Sequence, residues 1–118
     1  MKRDPDLIKQ ILIQVEALDQ AALNLRVEGY DQTTVNEHIL LCVDAGLLDG
    51  GVTQDSLGRA AVSVVKRLTP PGHEFLRLAR NSPLWNKAKS TFKEKAVTYS
   101  VEMLFAYLKQ EVTHFLPS

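Results

Sequence analysis

The chain has 118 residues, 45% of them hydrophobic and 24% charged, and its 14 basic and 14 acidic residues give a formal net charge of zero. That length suits one domain, which buries about two-thirds of its unfolded surface and closes a core without staples. The composition excludes several classes: no apolar run approaches the roughly 18–20 residues of a membrane span, and a lone cysteine, Cys42, allows no internal disulfide.

Met1-Lys2-Arg3-Asp4-Pro5-Asp6 turns acidic at once and lacks the apolar stretch of a signal peptide. With the single thiol, it leads us to expect a cytoplasmic protein without a membrane partner. Asp4 followed by Pro5 reads as a helix start, and Leu7, Ile8, Ile11, Leu12, Val15 and Leu18 form one apolar stripe. Leu23, Leu25 and Val27 then alternate with Asn24, Arg26 and Glu28, which predicts a short strand closed by Gly29.

Asp31 caps a second predicted helix, residues 31–45, whose inner face is Val35, Ile39, Cys42 and Val43 and whose end is Gly46 in a left-handed cap. Leu47 and Leu48 open a strand that Asp49-Gly50-Gly51 breaks or bulges, and Asp55-Ser56-Leu57-Gly58 reads as a hairpin tip. Residues 60–68 are the returning strand, with Val62, Val64 and Leu68 expected on one face and Ser63, Val65 and Arg67 on the other.

Thr69-Pro70 starts a helix with Phe75, Leu76 and Ala79 inside, and Gly72 in its first turn suits a close approach to the sheet. Ser82-Pro83 repeats the cap-plus-proline device before a helix with Leu84, Trp85, Ala88 and Phe92 inside and Lys87, Lys89, Lys93 and Lys95 on its wet side. Ser100 caps a last helix with the stripe Val101, Leu104, Phe105, Leu108, Val112 and Phe115. The fold class expected is mostly α with a small β-hairpin (α+β). It is a winged-helix-like domain over residues 1–118, with a body at 1–80 and a C-terminal helical extension at 81–118.

Chemistry-bearing arrangements are sparse. His38 and Cys42 lie four apart on one helical face, a spacing that suits two zinc ligands, but a structural zinc takes four and the chain has one cysteine. Ser56 sits in ordinary turn composition, Gly50-Gly51 precedes no Lys-Ser or Lys-Thr, and the paired carboxylates Asp4 and Asp6 are explained by the amides of a helix start. The expectation is a protein without enzymatic activity, cofactor or metal.

A set of residues spread over nearly the whole chain carries a resemblance. It comprises Met1-Lys2-Arg3-Asp4 with Asp6-Leu7-Ile8, Gly29-Tyr30, His38-Ile39 with Leu41, and Ala45-Gly46-Leu47-Leu48. It continues through Leu68-Thr69, Gly72-His73 with Phe75-Leu76, Ala79-Arg80 and Trp85-Asn86-Lys87-Ala88-Lys89. Together these residues resemble a family of short bacterial and temperate-phage proteins grouped as a domain of unknown function. The sequence departs at Pro70-Pro71, where an aromatic is expected before the glycine. The resemblance implies a winged-helix-like body with C-terminal helices and a phage or prophage setting, and implies no activity.

Two partner classes follow from the element order. A DNA-binding regulator would place the 31–45 helix in the major groove, with Gln32, Thr33, Thr34 and Asn36 toward bases and Arg59, Lys66 and Arg67 toward backbone. Against it, that helix carries Asp31, Glu37 and Asp44 and no Lys or Arg, and zero net charge offers little counterion release. The alternative is a protein-interaction or homodimerisation module using the acidic 31–45 helix or the last helix, where Leu104, Leu108, Val112 and Phe115 form the interface unless the stripe packs on this chain's own core.

Overall fold

The computed structural model describes residues 3–95 and 99–115, with backbone alone for 94 and 95. Its elements run α1 (Pro5–Glu16), β1 (Ala22–Leu23), α2 (Gln32–Asp44), β2 (Leu48–Gln54), β3 (Ala60–Leu68), α3 (Pro70–Ala79), α4 (Ser82–Lys95), α5 (Val101–Glu111) and a 3-10 turn (Val112–His114). The protein is α+β: these helices surround one three-stranded antiparallel sheet of order β1-β3-β2.

Helix starts follow their caps. The Asp4 carboxylate accepts from the Leu7 amide, Asp31 from Thr34, Thr69 from Gly72 and Ser100 from Met103, each satisfying an amide with no partner inside its helix. The fourth start differs from expectation. Ser82 is already helical, and the cap is Asn81, whose side-chain oxygen accepts from Leu84 while its carbonyl accepts from Trp85. Asn and Ser cap about equally well, and with Asn81 as the cap Pro83 falls within the first turn, where its missing N–H costs nothing.

The expected strand at Leu23–Val27 is shorter than its alternation suggests. Asn24 takes a left-handed φ of 51°, which ends β1 after Leu23, and its side-chain oxygen instead accepts from the Ser63 amide. Leu25 and Val27 are therefore both buried, off the ladder, where strict alternation with the exposed Leu23 would also have placed them outside.

The faces of β3 also depart from the alternation read in the sequence. Ala60, Ser63, Val65 and Leu68 are buried, while Val62 is exposed. The register explains it. Asp49 pairs with Arg67 and Gly50 with Val65, so Lys66 is an extra residue; Thr53 pairs with Val62 and Gln54 with Ala60, so Ala61 is another. Each bulge flips the parity of the strand once. Gly50 is required beside the first bulge, because a Cβ there would sit 2.2 Å from the Val64 carbonyl oxygen.

One continuous core joins these layers. Leu7, Ile8, Ile11 and Leu12 of α1 meet Val35, Ile39 and Cys42 of α2, Val65 of β3, Phe75 and Leu76 of α3, Leu84 and Trp85 of α4, and Leu104 and Leu108 of α5. Phe75 sits at its centre, edge-on to Trp85 and to Phe105 at centroid distances of 6.1 and 5.5 Å. Gly72 lets α3 enter this core: a Cβ there would lie 2.0 Å from the Leu47 carbonyl oxygen.

Candidate interaction surface

The first turns of α2 hold the side chains expected to meet bases, and most of them are committed inward. Asn36 is fully buried, which corrects its place among the surface contacts. Its amide donates to the Ala60 carbonyl, and its oxygen accepts from Ser63 Oγ at 2.7 Å and Gln32 Nε2 at 2.9 Å. Gln32 also donates to the Leu25 carbonyl. The reason is the bulged β3: burying Ser63 beneath α2 demands a polar partner, and Asn36 is the side chain in reach. Thr34 is half-buried, leaving Thr33 alone exposed among the four. The acids here are the exposed cap residue Asp31, the half-buried Glu37 and the exposed Asp44 at the end of α2.

The cations expected to touch backbone stand on the β2–β3 hairpin. Arg59 is held by Asp55 at 2.8 Å within the tip, and Arg67 by Asp49 at 2.7 Å at the opposite end of the sheet. Three hydrogen bonds converge on Asp55, from the Leu57 and Arg59 amides and the Arg59 side chain, and they hold its carboxyl below the usual range. Lys66 is exposed on β3 and makes no ion pair among the described residues.

Apolar exposure gathers on the same element. Among the described residues the large hydrophobic side chains left in solvent are Leu23 (66%), Leu57 (74%), Val62 (38%) and Met103 (50%), and all but Met103 belong to the sheet or its hairpin. Leu23 pairs with Val64, and Val62 is two residues further along the same strand, so three apolar side chains share the sheet face turned away from the helices. The sequence alternation put Val62 and Val64 on one face but did not show that this face is the open one, because the bulge that turns Leu68 away from it is set by register.

The C-terminal stripe is not that surface. Leu104 and Leu108 are fully buried within their own chain, a correction to their proposed role as an interface. Val112 and Phe115 are half-buried at the end of the same stripe, with Lys87 Nζ 5.7 Å above the Phe115 ring. The lysine-rich side of α4 is partly spent as well: Lys87 pairs with Glu111 and Lys89 with Asp6, while the Lys95 side chain lies outside the described residues.

A polar network lies at the N-terminus of α1. Asp4 accepts from Tyr30 Oη at 2.7 Å, which raises that phenol to about 12, and the Asp4 amide donates to His38 Nε2 at 3.0 Å. Asp6 accepts from Trp85 Nε1 at 3.0 Å and from Lys89 at 3.2 Å. Burial pulls the Asp6 carboxyl upward, and these bonds with the Lys89 and Lys9 charges outweigh it, leaving the group below its ordinary value. Arg3 donates to the Tyr99 carbonyl. The scattered residues that carried the family resemblance thus meet in space: Arg3, Asp4, Asp6, Tyr30, His38, Trp85 and Lys89 join α1 to α2 and α4. Their pairing was legible only as a list of positions.

This network does not assemble a metal or nucleophile site. Both ring nitrogens of His38 are engaged, and Cys42 is fully buried, its thiol pushed up to about 12 by burial. A metal ligand must be a thiolate, so the pair has no open face for an ion. Among the described residues no three His, Cys, Asp or Glu side chains are placed to share one, and no helix is long and apolar enough to cross a membrane.

Comparison with known proteins agrees with the spread of these positions. The family described as Hypothetical protein (DUF2513) matches residues 2–98. An uncharacterized protein of Haemophilus influenzae is 35% identical over 107 residues, covering 88% of this chain and 89% of the relative. No solved structure matches.

Proposed function

We propose that this chain, which belongs to the DUF2513 family of hypothetical proteins, is a non-catalytic protein-interaction module of winged-helix-like build, working in the cytoplasm. In this reading α2, the β2–β3 hairpin and α3 are the helix, wing and closing helix, and the wing with the outer sheet face is the contact. The observation that carries it is the exposure of Leu23, Leu57 and Val62 on the sheet and its hairpin, where Asp49 is paired with Arg67 and Asp55 with Arg59, and only Lys66 is left without an ion pair among the described residues. An apolar face with internally neutralised rims suits an apolar, near-neutral protein surface and offers little to a polyanion.

Duplex DNA is the second reading, favoured by Lys66, the exposed unpaired cation of β3. The two are separated by fluorescence anisotropy on a labelled duplex with micromolar protein at about 50 mM salt. Our reading predicts no saturable binding. Saturable binding whose logarithmic salt slope is near −3, and flattens in the Arg59→Ala, Lys66→Ala double variant, would transfer the function to DNA.

A further inference from the structure

His38 is fully buried at the contact of α1 and α2, and its two ring nitrogens have opposite, fixed roles. The Asp4 amide can only donate, so Nε2 must be the bare, accepting nitrogen. The Thr34 carbonyl, 2.8 Å from Nδ1, can only accept, so Nδ1 carries the hydrogen. One neutral tautomer alone satisfies both, and it ties the cap residue of α1 to the second turn of α2.

We propose that His38 is a proton-sensitive latch: the neutral ring holds the start of α1, and taking up a proton releases it. Protonation turns Nε2 into a donor facing the Asp4 N–H, so two donors oppose each other and the bond is lost. The Asp4 carboxylate oxygens each already take one bond, from the Leu7 amide and from the Tyr30 hydroxyl, so a new N–H that turned to either of them would pull on the α1 cap or the Tyr30 contact. Loosening Asp4 therefore loosens the α1 cap and the Tyr30 contact together.

The surrounding groups leave the ring as the element that changes. Tyr30 and Tyr99 are both held near 12 and stay uncharged in neutral and mildly acidic solution. Asp6 is held below its ordinary value by Trp85 and Lys89 against the pull of burial. On α2 itself the sequence neighbours are Glu37, half-buried, and Cys42, whose thiol stays protonated. The strands beneath send Leu48, Ala60, Ser63, Val65 and Leu68 inward, with Ala22 and Val52 partly buried against the core, and none of these titrates.

The test is amide hydrogen exchange on the full chain at about pH 7.5 and about pH 5.5, the interval in which histidines commonly take up a proton. Rates are corrected for intrinsic exchange and compared with His38→Gln, whose carbonyl and amide can replace both bonds but cannot titrate. In the wild type, protection at Asp4 and Leu7 should fall about tenfold more than at Val65 and Phe75, and in the variant it should not change. Unchanged protection in the wild type, or an equal loss in His38→Gln, overturns the latch. Ring 15N shifts of the wild type give a second reading that needs no variant. They should show a bare Nε2 at the higher pH and a doubly protonated ring that appears in step with the loss at Asp4; opening at Asp4 while the ring stays neutral overturns the proposal.

Discussion

Gly72 shows how one residue can carry a fold against its own helical preference. Glycine inside α3 is intrinsically about 1 kcal/mol worse than alanine, yet a Cβ at this position would meet the Leu47 carbonyl oxygen at 2.0 Å. Backbone cannot swing aside as a flexible side chain does, so the steric effect wins. Gly72→Ala should lower stability by roughly 1–3 kcal/mol rather than raise it, as read by urea denaturation; a stabilised variant would mean that α3 can slide off Leu47. At this scale the sequence was legible where the signal is local. The Asp4, Asp31, Thr69 and Ser100 caps and the left-handed Gly46 (φ 77°) stand where their chemistry put them. Asn36 and His38 were not legible as buried polar groups, because their burial depends on Ser63 and Asp4, which are 27 and 34 residues away in the chain.

Among the elements, helices and the hairpin kept close to the bounds that periodicity assigned, whereas β1 came out shorter than its alternation and β3 kept its length but not its faces. A helix repeats its stripe through local geometry, whereas the face of a strand is set by its partner's register, and β3 carries two extra residues against β2. The α5 stripe is the clearest success of periodicity: Val101, Leu104 and Leu108 are buried against α3 and α4. What its spacing could not decide was whether the cover came from this chain or another. Since Leu108 is fully buried within one chain, Leu108→Asp should cost at least about 3 kcal/mol by forcing a charge into an apolar seam. Sedimentation should show no change of mass in the fraction that remains folded. A folded variant of lower mass than the wild type would instead make α5 an interface between copies.

At the scale of the whole molecule, packing among the described residues uses much of the surface and leaves a sheet and hairpin face open. The core runs unbroken from α1 through α5, so the α5 stripe, which spacing alone left between this chain's own core and a dimer, closes this chain. The side chains expected to read bases are drawn into the Asn36–Ser63–Gln32 network. Apolar surface left in solvent then concentrates on the sheet and hairpin at Leu23, Leu57 and Val62. The account stands on that face being the contact, and site-specific photo-crosslinking in cells that express the full chain tests it most directly. A photoreactive phenylalanine analogue is placed in turn at Leu23, Leu57 and Val62, and at Thr33 on the outward side of α2 and Met103 on α5 as controls. Discrete protein adducts from the three sheet and hairpin positions, with none from Thr33 or Met103, are the predicted result. Adducts confined to Thr33, or adducts from Leu57 that consist of nucleic acid, would contradict it.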